Sequence, residues 1–404
     1  MTELLLRDVR AWPRLPGSDA LDVRCRDGQV VEIGPAGSSD AGDADVVEGG
    51  GAVLLPSFTD AHAHLDSTRL GLPFRPHDAE PGLAGLVAAD RRGQHAEPVP
   101  VAERATHTLG RTIALGTTRV RSHAQVDADF GLARLEGVLA AREAHADRAE
   151  VQVVAFPQAG ILRSPGTADL LDAAVRAGAD LVGGLDPAGF DLDPTGHLDV
   201  VFGIAERRGV GVDLHLHDGG ELGAWQLERI CDRAEALSMQ GMVTVSHAFG
   251  LAMVDADRQQ ALVERLTTVD VALTTVAPGA RPPLPRRLLA DAGVRVGLGQ
   301  DGIRDFWSPW GNGDMLERTW QLAHREGLRR DDEVEACVEL ATLGGRAVLD
   351  AGLRDLPGRG VGVGAPADLV LVDAGTVTSA VMDRPSARTV VRAGRVVAVD
   401  GELV

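Results

Sequence analysis

Pro56-Ser-Phe-Thr-Asp-Ala-His-Ala-His-Leu-Asp66 carries an apolar run, Ala52 to Phe58, straight into two histidines one residue apart. In an extended chain, residues i and i+2 point to the same side, so His62 and His64 converge on one point. Imidazole suits zinc and iron alike, and such a pair at a strand end is half of a metal site. Two solvated loop histidines are the competing reading, and the rest of the chain decides between them.

Working outward, apolar β-branched runs recur near Thr118 to Val120, Val151 to Ala155, Leu181 to Val182, Val210 to Leu214, Val243 to Val245, Val269 to Thr275 and Val294 to Leu298. Their spacing of about 25 to 33 residues is that of strand-plus-helix units. With Val53 to Phe58 the count is eight, and helical patterns fill the gaps. Leu132, Leu135 and Leu139 recur at i, i+3, i+7, and Thr167 to Gly178 has an N-cap candidate in Thr167 and a terminating glycine. Eight such repeats predict an α/β fold, a (β/α)8 TIM barrel, rather than an open sheet. The gap after the first strand, roughly 60 residues, predicts a cap insertion over the barrel mouth at about residues 65–116, with Val101 to Leu115 its clearest helix. Met315 to Gly352 adds helices after the eighth strand.

Both chain ends read as short strands. Leu4 to Val9, Leu21 to Cys25 and Val30 to Ile33 come first, the last two joined at Asp27-Gly28 as a hairpin. Asp368 to Val372, Thr389 to Arg392 and Val396 to Val399 close the chain, the last pair around Ala393-Gly394. Residues 1–55 and 357–404 are therefore expected to form one small β-sandwich around a barrel of residues 56–356.

Composition narrows the chemistry. The formal charge of −19 leaves no basic surplus for neutralising phosphates, which argues against nucleic acid. All 40 basic residues are arginine. Without lysine there is no Schiff base, no phosphate-loop lysine and no carbamylated lysine to bridge two metals. Tyrosine is also absent. Met1 to Gly17 reads as neither signal peptide nor membrane span. Cys25, Cys231 and Cys337 are widely separated and odd in number, which fits a reducing cytoplasm.

Active sites of such barrels lie at the C-terminal ends of the strands. The first run is followed by His62 and His64, the second by His123, the third by Pro157 and Gln158, and the fourth by Asp186. His215, His217 and Asp218 follow the fifth, His247 the sixth and Asp301 the eighth, so six of the twelve histidines fall at strand ends. Three neutral imidazoles and one carboxylate on a divalent ion leave one position for water, whose pKa the ion lowers to give a hydroxide. A nearby carboxylate and histidine can then move protons and polarise the group under attack. Any one of these, His247 for instance, could be a hydrogen-bonded core histidine; the set as a whole is hard to explain that way.

Two patterns are decoys. His95-Ala-Glu97 looks like the His-x-Glu of another class of zinc deaminases, but its partner Pro-Cys-x-x-Cys is absent, so it is expected to be a cap-surface turn. Gly358 to Gly364 alternates glycines like a phosphate loop but lacks a lysine, and reads as a linker.

Asp60-Ala-His-Ala-His64, Thr244-Val-Ser-His247, Gln300-Asp301 and the closing Gly364-Ala-Pro-Ala-Asp-Leu-Val-Leu371 resemble the amidohydrolase superfamily, nearly over the whole chain. Gly116-Thr-Thr-Arg-Val-Arg-Ser-His123 and Val151-Gln-Val-Val-Ala-Phe-Pro-Gln158 are similar to its cytosine deaminase branch. Leu181 to Pro187, His215-Leu-His-Asp218 and Asp301 to Met315 are most similar to the N-isopropylammelide aminohydrolases of that branch. The resemblance implies one zinc or iron ion on His62, His64, His215 and Asp301. It implies that Asp301 takes a proton from water, His247 holds the group on the attacked carbon, and His217 and Asp218 ferry a proton to the departing nitrogen. Gln158 would bind the ring amide and Trp307 wall the pocket, with Asp186 also facing the substrate. Ser67, Asp218 and Gly302 depart from the branch: they stand where a lysine, a glutamate and a second aspartate are usual, and mark the substrate-facing shell. The expected function is a deaminase replacing an amino or alkylamino group on a cytosine-like pyrimidine or aminotriazine with a carbonyl. Its rivals are a hydrolase of cyclic amides or ureas and a non-catalytic binding barrel. The partner is a small heterocycle rather than nucleic acid or membrane, and a homo-oligomer follows by family analogy.

Overall fold

Alternation of buried apolar strands with amphipathic helices sets the architecture. The computed structural model describes residues 3–13, 20–277, 279, 281–355 and 360–404. The expected barrel boundary at 356/357 lies outside the described residues, as do the first two positions of the Gly358 to Gly364 motif and Met1, Thr2 and residues 14–17 of the N-terminal run.

Four strands open the chain: β1 (Glu3–Ala11), β2 (Leu21–Arg26), β3 (Gln29–Pro35) and β4 (Asp45–Pro56). The barrel strands follow as β5 (Phe58–Ala63), β6 (Thr117–Gln125), β7 (Glu150–Phe156), β8 (Leu181–Leu185), β9 (Gly211–His215), β10 (Val243–Ser246), β11 (Ala272–Thr275) and β12 (Val296–Leu298). They form one parallel sheet, each strand paired to the next. Past β12 the ring closes on β5 through Asp301, whose amide donates to the His62 carbonyl (2.8 Å) and whose carbonyl accepts from the His64 amide (3.2 Å). Closure brings the first and last strand ends of the site together. Gly299 is needed there, because a Cβ would stand 2.6 Å from both the Cβ and the carbonyl oxygen of His62.

The strand start differs from expectation in one respect. The apolar run Ala52 to Phe58 is not a single barrel strand: β4 belongs to the other sheet, and the first barrel strand begins at Phe58 and contains His62. Hydrophobicity alone does not show where a continuous apolar run passes from one sheet to another.

The second sheet joins both ends of the chain. β13 (Leu369–Val372), β14 (Arg388–Arg392), β15 (Arg395–Val399) and β16 (Glu402–Leu403) complete the order β16-β15-β14-β13-β4-β1-β2-β3. Its two flanks curl together over a separate apolar core of residues such as Leu6, Leu54 and Leu369, with Gln29 bridging to Pro366. Buried ion pairs fasten it to the barrel, Arg119 to Asp368 at 3.1 Å and Arg388 to Asp314 at 2.7 Å.

Helices α1 (Leu83–Ala96) and α2 (Val101–Ala114) form the cap, the first of them not singled out by sequence pattern. Around the barrel run α3 (Ala133–Ala144), α4 (Thr167–Arg176), α5 (Pro194–Arg208), α6 (Gly220–Ala236), α7 (Ala256–Val269) and α8 (Arg286–Asp291), with α9 (Met315–Arg325), α10 (Asp331–Glu339) and α11 (Gly345–Leu349) beyond the last barrel strand. In α5, Asp193 accepts from the Gly196 amide, Pro194 takes the first turn and Gly209 ends the helix in the left-handed region. In α4 the N-cap is Gly166 rather than Thr167. No helix among the described residues is long and apolar enough to cross a membrane.

Candidate active site

The strand ends deliver the candidate ligands. His62 lies inside β5 and His64 one residue past it, His215 ends β9, His247 directly follows β10, and Asp301 lies three residues past β12. His247 and Asp301 hold φ values of 70° and 62°, a cost of about 1–3 kcal/mol each, which the surrounding structure must impose.

Hydrogen bonding fixes which nitrogen of His62 is available. Ser246 Oγ donates to Asp213 Oδ1 (2.7 Å), a fully buried carboxylate that also pairs with Arg121 (3.0 Å). With its only hydrogen spent, Ser246 must accept from His62 Nδ1–H at 2.9 Å. His62 Nε2 is then a bare lone pair, buried and without a hydrogen-bond partner. Nε2 of His62 and of His64 lie 3.6 and 3.4 Å from Asp301 Oδ1, and His64 Nε2 lies 3.2 Å from His215 Nε2. Metal–nitrogen bonds of about 2.0–2.1 Å put neighbouring tetrahedral ligands roughly 3.3–3.4 Å apart. His62, His64 and Asp301 are therefore close enough to share one small divalent ion, and His215 adjoins them through His64. Among the described residues, His62 is common to the three groups of side chains close enough to share a cation: with His64 and Asp301, with His215 and His247, and with His123 and Asp213.

Electrostatics agree with that use. Burial lowers the His64 pKa to about 4 and holds His123, His215 and His247 well below the ordinary imidazole value, so these rings are neutral and their lone pairs free to bind. Asp301 goes the other way: burial would raise its pKa, but its polar surroundings, His62 first among them, outweigh burial and lower it. His217 is the exception among the histidines. Burial opposes its charge, yet the 2.8 Å hydrogen bond from Nδ1 to Asp186 Oδ2 wins and raises its pKa.

These groups line a cavity of about 560 Å³ walled by Phe156, Leu185, Phe249 and Trp307. His64, Gln158, His215, His217, His247, Asp301 and Gly302 all face it. Gln158 is oriented: its Nε2 donates to Asp90 Oδ2 (3.0 Å), which also accepts from Arg134 Nη1 (2.8 Å), so Oε1 is the atom left for a ligand.

Three sequence candidates are placed behind the wall. Asp186 orients His217 through its ring and its amide. The Asp218 carboxylate turns outward to the Gly189 amide (2.9 Å) and Gln226 Nε2 (2.8 Å). Ser67 is buried, with Oγ 3.1 Å from Asp305 Oδ2. His123 lies beneath His62, ring centroids 4.3 Å apart. Of the decoys, His95 is exposed and stacks on Phe130, and Glu97 pairs with Arg69 at 3.0 Å.

Sequence reasoning gave no role to Asp60, Asp90 or Asp305. Asp60 Oδ1 accepts from the His62 and Gln300 amides, and burial pushes its pKa up to about 7. Asp305 is likewise pushed up to about 7, by burial first and then by Asp90 and Asp301. Asp60 and Asp305 both sit inside segments that carry the family resemblance, which was the available signal; Asp90, on a cap helix, had none.

Comparison with known proteins matches residues 45–398 to a family model described as the amidohydrolase family. N-isopropylammelide isopropylaminohydrolase from Burkholderia multivorans superposes over 100% of both chains, with a TM-score of 0.92 and 41% identity. The 5-methylcytosine deaminase of Klebsiella pneumoniae, liganded with 5-fluorocytosine, covers 98% of this chain and 97% of its own, with a TM-score of 0.80 and 25% identity. In sequence, N-isopropylammelide isopropyl amidohydrolase of Pseudomonas sp. strain ADP is 29% identical over 367 residues, 89% of each chain.

Proposed function

The chain belongs to the amidohydrolase family and is a hydrolase of non-peptide C–N bonds, and from that premise we propose that it removes an amino or alkylamino group from a small nitrogen heterocycle, a cytosine-like pyrimidine or an aminotriazine, and leaves a carbonyl. The observation that carries this reading is His217, whose Nδ1 lies 2.8 Å from Asp186 Oδ2, a pairing that raises its pKa in a cavity where burial lowers those of His64, His215 and His247. An acid facing a set of neutral bases suits a reaction whose departing group is a nitrogen.

His62, His64, His215 and Asp301 would hold one divalent ion, zinc or iron. Bound there, the ion supplies Lewis acidity that brings the pKa of water towards neutrality. Asp301, ionised, takes a proton from the attacking water as the new C–O bond forms. His247 hydrogen-bonds the group on the attacked carbon. His217 gives its proton to the nitrogen as the C–N bond breaks, and Gln158 Oε1 accepts from a ring N–H. Asp218, bound to Gly189 and Gln226, supports the loop that carries His217. The net charge of −19 supports a small neutral substrate rather than a polyanion, and three unpaired buried thiols support a cytoplasmic setting.

The test is an ammonia- and amine-release screen over pyrimidines, aminotriazines and creatinine-like rings with zinc- and iron-loaded protein. Release that stops on chelation and in H215A is the expected result. A ring-opened carboxylate with no free amine, or no turnover of any ring, would overturn the proposal.

A further inference from the structure

Gly302 lines the cavity, and its φ lies outside the left-handed region, so its backbone does not require glycine. What excludes a side chain is Asp305: a Cβ on residue 302 would stand 2.1 Å from Asp305 Oδ2. The Asp305 carboxylate therefore fills the slot that a side chain at 302 would occupy, and Asp305 itself lines the same cavity.

The carboxylate is held there from two sides. Its Oδ1 accepts from the Trp307 amide (2.8 Å) and the Ser308 amide (2.9 Å), while Oδ2 meets Ser67 Oγ at 3.1 Å. Because both amides point at Oδ1, rotation of the carboxyl is blocked and Oδ2 is the oxygen presented beside Gly302. Ser67 has one hydrogen to give, and a carboxylate oxygen accepts more than one hydrogen bond, so Oδ2 retains accepting capacity. Gln158 Oε1, its amide fixed by Asp90, has no partner among the described residues. Gln158 and Asp305 thus give the cavity two fixed acceptors apart from its imidazoles and Asp301.

We infer that Asp305, positioned by Ser67 and admitted by Gly302, is a specificity-determining residue that accepts a hydrogen bond from an N–H on the substrate's ring edge. This rests on the heterocycle reading above and narrows it. The preferred rings present N–H donors to both Gln158 and Asp305; rings alkylated on the nitrogen at Asp305, or bearing a carbonyl at that edge, are disfavoured. If Asp305 only caps the turn before Ser308, substrates with and without that N–H would be affected alike by its loss.

The discriminating variant is Asp305→Asn. The Trp307 and Ser308 amides must still meet an acceptor, so the asparagine carbonyl takes the Oδ1 place and its NH2 takes the place of Oδ2. An acceptor facing the ring becomes a donor. Binding of matched N–H and N-methyl rings is measured by calorimetry, and ammonia release from the same rings is measured in parallel. Above about pH 8, where Asp305 is ionised, the wild type should favour the N–H ring by about 10- to 100-fold, the equivalent of one hydrogen bond to a charged group. In D305N that ratio should collapse and rings with an acceptor at that edge should gain. Equal losses for both members of each pair would overturn the inference. Should D305N not fold, Gly302→Ala keeps the carboxylate but drives Oδ2 out of its slot, and must lower the same ratio; an unchanged ratio there overturns it equally. Selective binding without ammonia release would instead count against the deaminase reading and leave the Asp305 assignment standing.

Discussion

Replacing Arg134 with methionine is the sharpest probe of how the cap is fastened to the barrel. Arg134, at the start of α3, is only 2% exposed, and its Nε lies 2.7 Å from Asp66 Oδ2, its Nη1 2.8 Å from Asp90 Oδ2. A third bond runs to Gln125 Oε1. Asp66 lies two residues past His64 in the segment that follows β5, Gln125 ends β6, and Asp90 belongs to cap helix α1, so one guanidinium joins three segments. Burial would lower its pKa, but Asp66 and Asp90 outweigh burial and raise it. Methionine matches much of the volume while leaving two buried carboxylates with no cation. Breaking one buried pair in this way costs about 3–5 kcal/mol, and with two carboxylates left behind we expect R134M at the upper end of that range. Removing one of them in the R134M/D90N double variant should recover about 1–3 kcal/mol. The assay is urea unfolding followed by tryptophan fluorescence, with midpoints compared at constant slope. Because Asp90 also orients Gln158, KM should rise more than kcat falls. A loss below about 1 kcal/mol, as for a solvated pair, or strict additivity in the double variant, would refute the account.

Gly299→Ala places a methyl 2.6 Å from the His62 backbone, so it should destabilise by about 1–3 kcal/mol and lower metal content per chain by elemental analysis; full metal occupancy would contradict the close approach. Asp191 ties the Ile161 and Leu162 amides to His197 (2.7 Å); burial would raise its pKa, but His197 and these amides outweigh it and lower it. Its contribution is therefore present above the unfolded value near 3.9 and lost as pH falls through the lower folded value. D191N should cost about 1–3 kcal/mol at pH 7, with the gap to wild type narrowing below about pH 4; a gap independent of pH would argue against an ionised Asp191. Cys25, Cys231 and Cys337 are buried, and burial pushes their pKa values up to about 12, so a thiol reagent should label the native protein slowly and all three after unfolding. Rapid native labelling would contradict that burial.

The strand-and-helix rhythm and the His-x-His pair were readable because both are local. Period 2 in a strand decides which side chains share a face, and the C-terminal ends of parallel strands in a closed barrel face one mouth, so His62, His64, His215, His247 and Asp301 could be gathered from spacing with the other strand-end residues, and the family resemblance singled them out. The family resemblance then assigned roles to residues such as His217 and Gln158. The first barrel strand was misplaced within its apolar run because hydrophobicity records burial, not the sheet in which a segment is buried.

What only the tertiary structure decided is where the loop side chains turn. Asp218 adjoins His217 in sequence yet faces Gly189 and Gln226, whereas Asp305, given no role from sequence, stands at the cavity beside Gly302. Those choices depend on partners far along the chain. Ser67 and Asp305 are 238 residues apart, Gln158 and Asp90 are 68 apart, and Ser246 reaches back 184 residues to set the His62 tautomer. A hydrogen bond is short and directional, so a carboxylate turns towards whichever donors the fold brings within about 3 Å, and that is known only once the chain has closed.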